Sequence, residues 1–265
     1  MTCNQKKLAF NIKKYLILFM ETMFLSIITP TYNSQDKILF CINSVIKQNF
    51  EDYEHIIIDN HSTDRTLELI KSINNKKIKI FSEQDKGIYF AMNKGAKIAS
   101  GQYLLFLNSD DFLIDDNFFE NSYKILENNK YDIVYSNIIY PKNKFNIERK
   151  YKTGKISDKI KIGWHIPHPG TIINKNLIKD MDYFDTNYKI AADFDFFFRC
   201  LLNKSVSYFY YDKFTVLMLP GGQSSGFKNV IKSNIECYDS LKKHHYAKPL
   251  LFVIFKIIRK VLQFS

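Results

Sequence analysis

The chain has 265 residues, of which 46% are hydrophobic and 25% are charged. This composition excludes wholesale disorder and provides enough apolar side chains for one large domain or two small ones. The formal net charge of +11 favours anionic partners such as nucleotides, nucleic acid or anionic lipid, although a surface rich in solvated lysines explains the same value. The four cysteines show no CxxC or Cys/His spacing, so we expect a cytoplasmic chain without structural zinc.

Residues 1–22 precede the first predicted strand and form an N-terminal extension. Lys7, Asn11 and Lys14 recur at helical spacing, which predicts a short amphipathic helix. The apolar stretch from Tyr15 to Met20 is too short to span a bilayer, and no small-residue cleavage site follows it. We therefore expect no secretory signal in this segment.

Strands and helices alternate over the next part of the chain. Apolar runs predict strands at 24–29, 53–58, 78–81 and 103–107. Helical periodicity between them predicts three helices, which carry Ile38 to Ile46, Leu67 to Ile73 and Ile88 to Ile98. Such alternation indicates a three-layer α/β/α fold around a central, mostly parallel sheet. The carboxyl ends of the strands should meet at one edge, where sheets of this kind bind ligands.

Two adjacent carboxylates, Asp110 and Asp111, follow the apolar run from Tyr103 to Leu107. Such a pair is repulsive unless a cation or hydrogen-bond donors accept both charges. A hard divalent cation, with phosphate oxygens completing its shell, would meet that need. The same residues are also typical of a turn and a helix N-cap, so the pattern alone leaves both interpretations open.

Other strand ends supply groups suited to a nucleotide. Pro30 and Tyr32 offer flat apolar surface for a base, and Asp59 can accept a hydrogen bond from it. Lys86 and Lys94 can face phosphates. The sequence has neither a G-x-x-x-x-G-K-[ST] loop nor a G-x-G-x-x-G pattern after the first strand. This argues against a P-loop enzyme and against a dinucleotide-dependent dehydrogenase.

The second half of the chain departs from regular alternation. We predict a helix over Asn117 to Leu126, a strand over Asp132 to Tyr135, and a hairpin or an excursion over the active site from Tyr140 to Tyr151. His165 and His168 follow in a loop, where they can serve as metal ligands, acceptor contacts or structural side chains.

A buried helix is predicted from Phe194 to Leu202, because the run is almost entirely aromatic or aliphatic. Asp193 and Asp195 stand at its start, where they can complement the helix dipole. Arg199 is expected to anchor this helix through an ion pair with Asp195.

The last fifteen residues give a separate signal. Between Leu250 and Phe264 the polar residues are Lys256, Arg259, Lys260 and Gln263, which share one stripe of a helix. A basic amphipathic helix of this kind is suited to a membrane interface. The alternative is a terminal helix that docks its apolar side on the core.

Four segments, taken together, resemble the family 2 glycosyltransferases of the GT-A fold. They are Leu25 to Asn33 (LSIITPTYN), Ile58 to Thr66 (IDNHSTDRT), Asp85 to Gly95 (DKGIYFAMNKG) and Phe106 to Asp111 (FLNSDD). The resemblance implies a Rossmann-like GT-A domain over residues 23–228, with a nucleotide-binding half at 23–112 and an acceptor and catalytic half at 113–228. Residues 229–265 then form a helical, membrane-associating tail.

The resemblance also implies roles for individual residues. Asp111, with Asp110, matches the DxD-type motif that holds Mg²⁺ or Mn²⁺. The segment from Tyr188 to Arg199 resembles the family's ED-x-D-x-x-x-R element, which places the catalytic base at Asp193, with Ala192 where the family commonly has Glu. The implied nucleotide-sugar-binding residues are Pro30, Thr31, Tyr32, Asp59, Lys86, Gly87, Asn93 and Asp110. A possible acceptor or diphosphate loop comprises His168, Gly221, Gly222 and Ser224.

These assignments predict an inverting, metal-dependent glycosyltransferase with a nucleoside diphosphate sugar, in the first instance a UDP-sugar, as donor. The expected acceptor is a hydroxyl of a glycan or of a polyprenyl-diphosphate-linked sugar, used for surface polysaccharide at the inner face of the cytoplasmic membrane. One alternative is a nucleotidyltransferase, which would release pyrophosphate. Another is a nucleotide-sugar-binding protein without turnover. No recognised nucleic-acid motif accompanies the positive charge, so we expect no nucleic acid partner.

Overall fold

The computed structural model describes residues 23–141, 148–156, 163–219 and 226–261. The predicted N-terminal extension and the loop residues Gly221, Gly222 and Ser224 lie outside these ranges. The strands are β1 Leu25–Thr31, β2 Tyr53–Asp59, β3 Ile78–Ser82, β4 Tyr103–Phe106, β5 Asp111–Leu113, β6 Ile133–Tyr140, β7 Arg149–Tyr151, β8 Thr171–Asn174 and β9 Tyr208–Met218. The helices are α1 Ile38–Ile46, α2 Thr66–Lys71, α3 Ile88–Ile98, α4 Phe118–Asn128, α5 Lys175–Asp180, α6 Ala192–Leu202, α7 Phe227–Lys243 and α8 Pro249–Val261.

The first four strands form the parallel part of the sheet. β1 lies between β2 and β4, and β3 pairs with the outer side of β2, all in parallel. β1 and β2 are buried along their whole length, which is typical of strands covered on both faces. The carboxyl ends of these strands therefore point to one edge, as the sequence predicts.

The second half of the chain continues the same sheet with mixed pairing. β8 lies antiparallel to both β4 and β6, whereas β9 runs parallel to β6. β5 pairs antiparallel with β9, and the full order is β3-β2-β1-β4-β8-β6-β9-β5. β7 pairs antiparallel with β6, with Tyr140 opposite Arg149, so the two ends of the segment predicted as a hairpin or an excursion lie side by side.

Helices cover both faces of the sheet. Ile28 and Phe106 belong to a buried cluster with α3, α5 and α6, whereas Ile27 and Leu105 belong to a cluster with α1 and α4. Because successive residues of a strand point to opposite faces, the two clusters lie on opposite sides of the sheet. This confirms the predicted three-layer α/β/α architecture.

The last two helices pack against α6. Phe194 and Phe198 of α6, Cys237 and Leu241 of α7, and Phe252 of α8 are buried in one cluster. The Glu236 carboxylate on α7 accepts hydrogen bonds from the backbone N–H groups of residues 189–191, which lead into α6. The first turn of α6, which carries Asp193, is thereby fixed in position.

Helix α8 also packs against the loop that carries the two histidines. Gly163 has a φ of +75°, and a Cβ atom built there would lie 2.3 Å from the backbone nitrogen of Lys256. Only glycine permits so close an approach without a shift of the backbone. None of the helices within the described ranges is long and apolar enough to cross a membrane.

Candidate active site

A cleft of about 1100 Å³ opens at the carboxyl edge of the parallel strands. It is lined on one side by the ends of β1 and β4 and by the start of α3, and on the other by the histidine loop, α6, α7 and α8. The predicted site residues that line it are Pro30, Thr31, Tyr32, Gly87, Asp110, Asp111, His168 and Asp193. The fold thus brings together residues that are far apart in the sequence.

The two adjacent carboxylates differ in their surroundings. Asp111 is 1% exposed and accepts a hydrogen bond from the Asn108 side chain at 3.1 Å. Asp110 is more accessible and lies 4.0 Å from the Lys37 ammonium. Burial raises the pKa of Asp111 well above its usual range, and the neighbouring Asp110 raises it further. A carboxylate in this position requires a nearby cation to carry its charge at low cost.

Asp193 projects into the cleft from the first turn of α6. Its Oδ2 accepts a hydrogen bond from His168 Nδ1 at 3.0 Å, and its Oδ1 accepts one from the Tyr89 hydroxyl at 3.1 Å. Burial raises the pKa of Asp193, but the hydrogen bond and the electrostatic effect of His168 outweigh it and hold the pKa at about 2. Asp193 is therefore ionised at neutral pH, which is the state that a general base requires.

His168 connects the two acidic sites. Its Nε2 lies 3.2 Å from the Asn108 side-chain nitrogen, which also contacts Asp111. Because Nδ1 faces the Asp193 carboxylate, Nε2 is the ring nitrogen that meets Asn108. A continuous set of hydrogen bonds thus runs from Tyr89 through Asp193, His168 and Asn108 to Asp111.

Asp195 has a structural environment that separates it from Asp193. It is 0% exposed and accepts hydrogen bonds from Arg199 Nε at 2.8 Å and from the Ser240 hydroxyl at 2.7 Å. His244 Nε2 lies 2.9 Å from the same carboxylate. The predicted ion pair between Asp195 and Arg199 is confirmed and lies within α6, whereas the contact with Ser240 ties Asp195 to α7.

Of the residues predicted to bind the nucleotide base, only some lie at the surface of the cleft. Tyr32 is 57% exposed, and Pro30 and Thr31 line the cleft beside it. Asp59 lies behind this surface, where its buried carboxylate accepts hydrogen bonds from Ser62 and Ser82. The hydroxyl of Thr31 and the Asn108 side-chain oxygen are buried without a hydrogen-bond partner among the described residues, so both can take one from a ligand.

The remaining predicted donor contacts lie in different places. Gly87 lines the cleft in the left-handed region, with a φ of +136°, whereas Lys86 is exposed outside the lining. The Asn93 amide holds both the N–H and the carbonyl of Phe184, which is a structural contact. Lys94 forms an ion pair with Glu83 at 2.6 Å on the surface.

Several cleft residues were not predicted from the sequence. Lys256, Arg259 and Lys260 of α8 line the cleft, as do Tyr89, Asn108 and Arg149. His165, which the sequence offered as a metal ligand, an acceptor contact or a structural side chain, packs against the Tyr151 ring. Burial of its imidazole and the nearby Lys256 lower its pKa to about 3. Tyr89 and Asn108 lie inside the sequence segments that suggested the nucleotide site, and this position was the only sequence signal for them. The basic stripe of α8 could be recognised from the sequence, but the sequence did not show that it faces the cleft.

The donor atoms at Asp110 and Asp111 are suited to Mg²⁺ or Mn²⁺. Both ions prefer hard carboxylate oxygens and retain positions for phosphate oxygens and water. Within the part of the chain that the structure describes, no group of three or more His, Cys, Asp or Glu side chains forms a complete metal site. A metal here would therefore take further ligands from a bound substrate.

Comparisons with known proteins agree with this geometry. The family described as "Glycosyl transferase family 2" matches residues 26–199. A PGL/p-HBAD biosynthesis glycosyltransferase of Mycobacterium bovis is 29% identical over 185 residues, which are 68% of this chain and 71% of that protein. The UDP-Glc:alpha-D-GlcNAc-diphosphoundecaprenol beta-1,3-glucosyltransferase WfgD of Escherichia coli is 32% identical over 151 residues, which are 54% of this chain and 59% of that protein.

Solved structures show the same fold at lower identity. S. aureus TarS 1-349 in complex with UDP-GlcNAc matches with a TM-score of 0.65 and 23% identity, covering 83% of this chain. The match spans 65% of the TarS chain, slightly less than two thirds. The mannosyltransferase PcManGT from Pyrobaculum calidifontis, in complex with GDP-Man and Mn²⁺, matches with a TM-score of 0.62 and 13% identity over 94% of this chain and 76% of that one.

Proposed function

The chain belongs to glycosyltransferase family 2 and has the GT-A fold, and from this premise we propose that it transfers a sugar from a nucleoside diphosphate sugar to an acceptor hydroxyl with inversion. One observation carries the proposal. An ionised carboxylate, Asp193, and the acidic pair Asp110 and Asp111 line the same cleft. A sugar transfer needs both a base for the acceptor and a site for the departing diphosphate.

Asp193 is the proposed general base. Its carboxylate takes the proton of the acceptor hydroxyl as that oxygen attacks the anomeric carbon from the face opposite the diphosphate. The hydrogen bonds from Tyr89 and His168 hold the carboxylate in one orientation, and they leave it room to accept a third hydrogen bond. A single displacement of this kind inverts the configuration of the sugar and forms no covalent intermediate.

Asp111, assisted by Asp110, is the proposed holder of Mg²⁺ or Mn²⁺. When bound, the metal supplies positive charge that stabilises the leaving nucleoside diphosphate. The burial of Asp111 supports this assignment, because burial and the neighbouring Asp110 raise its pKa, and a bound cation would stabilise its charge. The PcManGT structure contains Mn²⁺ according to its description, which is consistent with the same use here.

The proposed donor is a UDP-sugar. Pro30, Thr31 and Tyr32 supply the surface for the base, and Asp59 supports this edge from behind. The TarS structure binds UDP-GlcNAc, and the name of WfgD gives UDP-Glc as its donor. Gly87, which lines the cleft, remains a proposed donor contact, as does the loop with Gly221, Gly222 and Ser224, which lies outside the described residues. Lys86 and Asn93 lie outside the cleft lining.

The proposed acceptor is lipid-linked, and the proposed site of action is the inner face of the cytoplasmic membrane. WfgD acts on a diphosphoundecaprenol-linked sugar according to its name. Helices α7 and α8 expose large apolar side chains, which include Phe227, Ile231, Ile235, Leu250, Ile254 and Ile258. An exposed apolar area of this extent is typical of a membrane or protein contact.

The decisive experiment is a screen of nucleotide sugars for metal-dependent release of nucleoside diphosphate. We expect turnover with at least one UDP-sugar in the presence of Mn²⁺, and loss of turnover in the Asp111→Asn variant. The exposed Asp180→Asn, which lies outside the cleft, serves as the matched control and should keep activity. Release of pyrophosphate in place of nucleoside diphosphate would identify a nucleotidyltransferase instead. Donor binding without turnover would identify a sensor.

A further inference from the structure

The basic stripe of helix α8 faces the cleft. Lys256, Arg259 and Lys260 all line it, together with Arg149 from β7. The packing of α8 on Gly163 and the burial of Phe252 and Val253 fix this orientation. The opposite, apolar side of α8 is exposed, which reverses the usual arrangement of an amphipathic helix on a protein surface.

Lys256 is held by neutral neighbours. Lys256 Nζ lies 3.0 Å from Cys237 Sγ and 5.6 Å from the centre of the Phe194 ring. Among the residues of known position, none provides a carboxylate within ion-pair distance of Lys256, Arg259 or Lys260. By contrast, Lys243 of α7 forms an ion pair with Asp185 at 2.8 Å. Positive charge without carboxylate partners in a concave site attracts an anion.

Asp193 is connected to the acidic pair through one set of contacts and to the basic stripe through another. On one side, Asp193 connects through His168 and Asn108 to Asp111, where the donor diphosphate is proposed to bind. On the other side, the residue that follows it, Phe194, lies beneath Lys256. The donor diphosphate therefore has an acidic, metal-binding environment, whereas the basic stripe is available to a second anion.

We propose that Lys256, Arg259 and Lys260, with Arg149, bind the diphosphate group of the acceptor. The inference rests on the proposed glycosyl transfer, because it assigns an acceptor group to the same cleft. Several cations suit a diphosphate, which carries more than one negative charge and offers several acceptor oxygens. The exposed apolar side of the same helix places a lipid chain next to that diphosphate. An acceptor held in this way would present its sugar hydroxyl toward Asp193.

The test measures binding of geranyl diphosphate to the full chain by calorimetry, in metal-free buffer and below the concentration at which the ligand forms micelles. The variant Arg259→Gln/Lys260→Gln removes two charges from the cleft and keeps Lys256, which packs against Cys237. The control Lys232→Gln/Lys248→Gln removes the same charge from exposed positions outside the cleft. We expect binding to weaken at least about tenfold in the first variant, the equivalent of one charge-assisted hydrogen bond, and to stay unchanged in the control.

Two more ligands identify the source of the anion and the role of the stripe. Tighter binding of geranyl diphosphate than of inorganic pyrophosphate supports a lipid-linked acceptor, and equal binding supports recognition of the diphosphate alone. UDP with Mn²⁺ should bind the cleft variant as tightly as the wild type. An equal loss of UDP affinity would assign the stripe to the donor and overturn the inference, as would geranyl diphosphate binding that ignores the substitutions. If UDP fails to bind any form, the proposed function fails, whereas charge-dependent geranyl diphosphate binding would still support the anion site.

Discussion

At the scale of single residues, two carboxylates that are two positions apart on α6 have opposite environments. Asp193 faces the cleft and retains access to a substrate, whereas Asp195 is enclosed by Arg199, Ser240 and His244. Residues at this spacing point to different faces of a helix, so only one of them can serve the reaction. The sequence showed both acids at the helix start, and the family resemblance selected Asp193. The enclosure of Asp195 depends on α7, which no local pattern around Asp195 reveals.

The two acids should respond differently to the same substitution. Asp193→Asn keeps the shape of the side chain and removes its basicity, so we expect sugar transfer to fall at least about a hundredfold. Its affinity for UDP with Mn²⁺ should stay near the wild-type value. Asp195→Asn leaves Arg199 without its buried carboxylate, and we expect a loss of about 3 kcal/mol or more in the free energy of unfolding. Steady-state transfer assays and urea denaturation measure these effects. An active Asp193→Asn together with a stable, inactive Asp195→Asn would show that the roles are reversed.

At the scale of secondary structure elements, the sequence pattern of α8 predicts the helix and its basic stripe but not the surroundings of each side of the helix. The sequence predicted a basic amphipathic helix, with either a membrane or the core as its partner. The structure combines a buried contact through Phe252 and Val253 with basic residues in the cleft and exposed apolar residues elsewhere. A helical stripe defines which residues share a face, but the packing of neighbouring elements decides what that face meets.

The exposed apolar side of α8 leads to a prediction about membrane binding. Ile254 and Ile258 are 43% and 45% exposed and lie outside the cleft lining, so their replacement by serine should leave the core and the site intact. If this side enters a bilayer, each substitution removes roughly 1 kcal/mol of apolar burial, and the double variant should bind vesicles at least about tenfold more weakly. Ile98→Ser, at a position 41% exposed on α3, is the matched control. Sedimentation with vesicles that contain anionic lipid measures the effect. Equal binding of all three proteins would assign the surface to another partner.

At the scale of the whole molecule, the first half of the fold could be predicted and much of the second half could not. β1, β2 and β4 are buried along their whole length because helices cover both of their faces, and the clusters of apolar residues that they contain are visible locally. β9 is largely half-exposed along its length, and its partners β5 and β6 are distant in sequence, so it lacks a comparable signal. The sequence placed the acidic pair Asp110 and Asp111 in the nucleotide-binding half of the domain and Asp193 in the catalytic half. Their meeting in one cleft follows from the order of strands in the shared sheet.

The shared cleft also predicts how ligands stabilise the entire chain. A ligand that binds only the folded state raises the free energy of unfolding by about 2.7 kcal/mol at a hundred times its dissociation constant. For a chain of 265 residues this corresponds to a rise of roughly 5–10 °C in Tm. We expect UDP with Mn²⁺ to give such a rise, and UDP with a chelator to give a smaller one, because a metal held by Asp111, as proposed, would join the diphosphate to the protein. In Asp111→Asn the two rises should become equal, whereas Asp180→Asn should keep the difference. A rise that is the same with Mn²⁺ and with chelator in the wild type would mean that the nucleotide binds without a metal, and that Asp110 and Asp111 have another role.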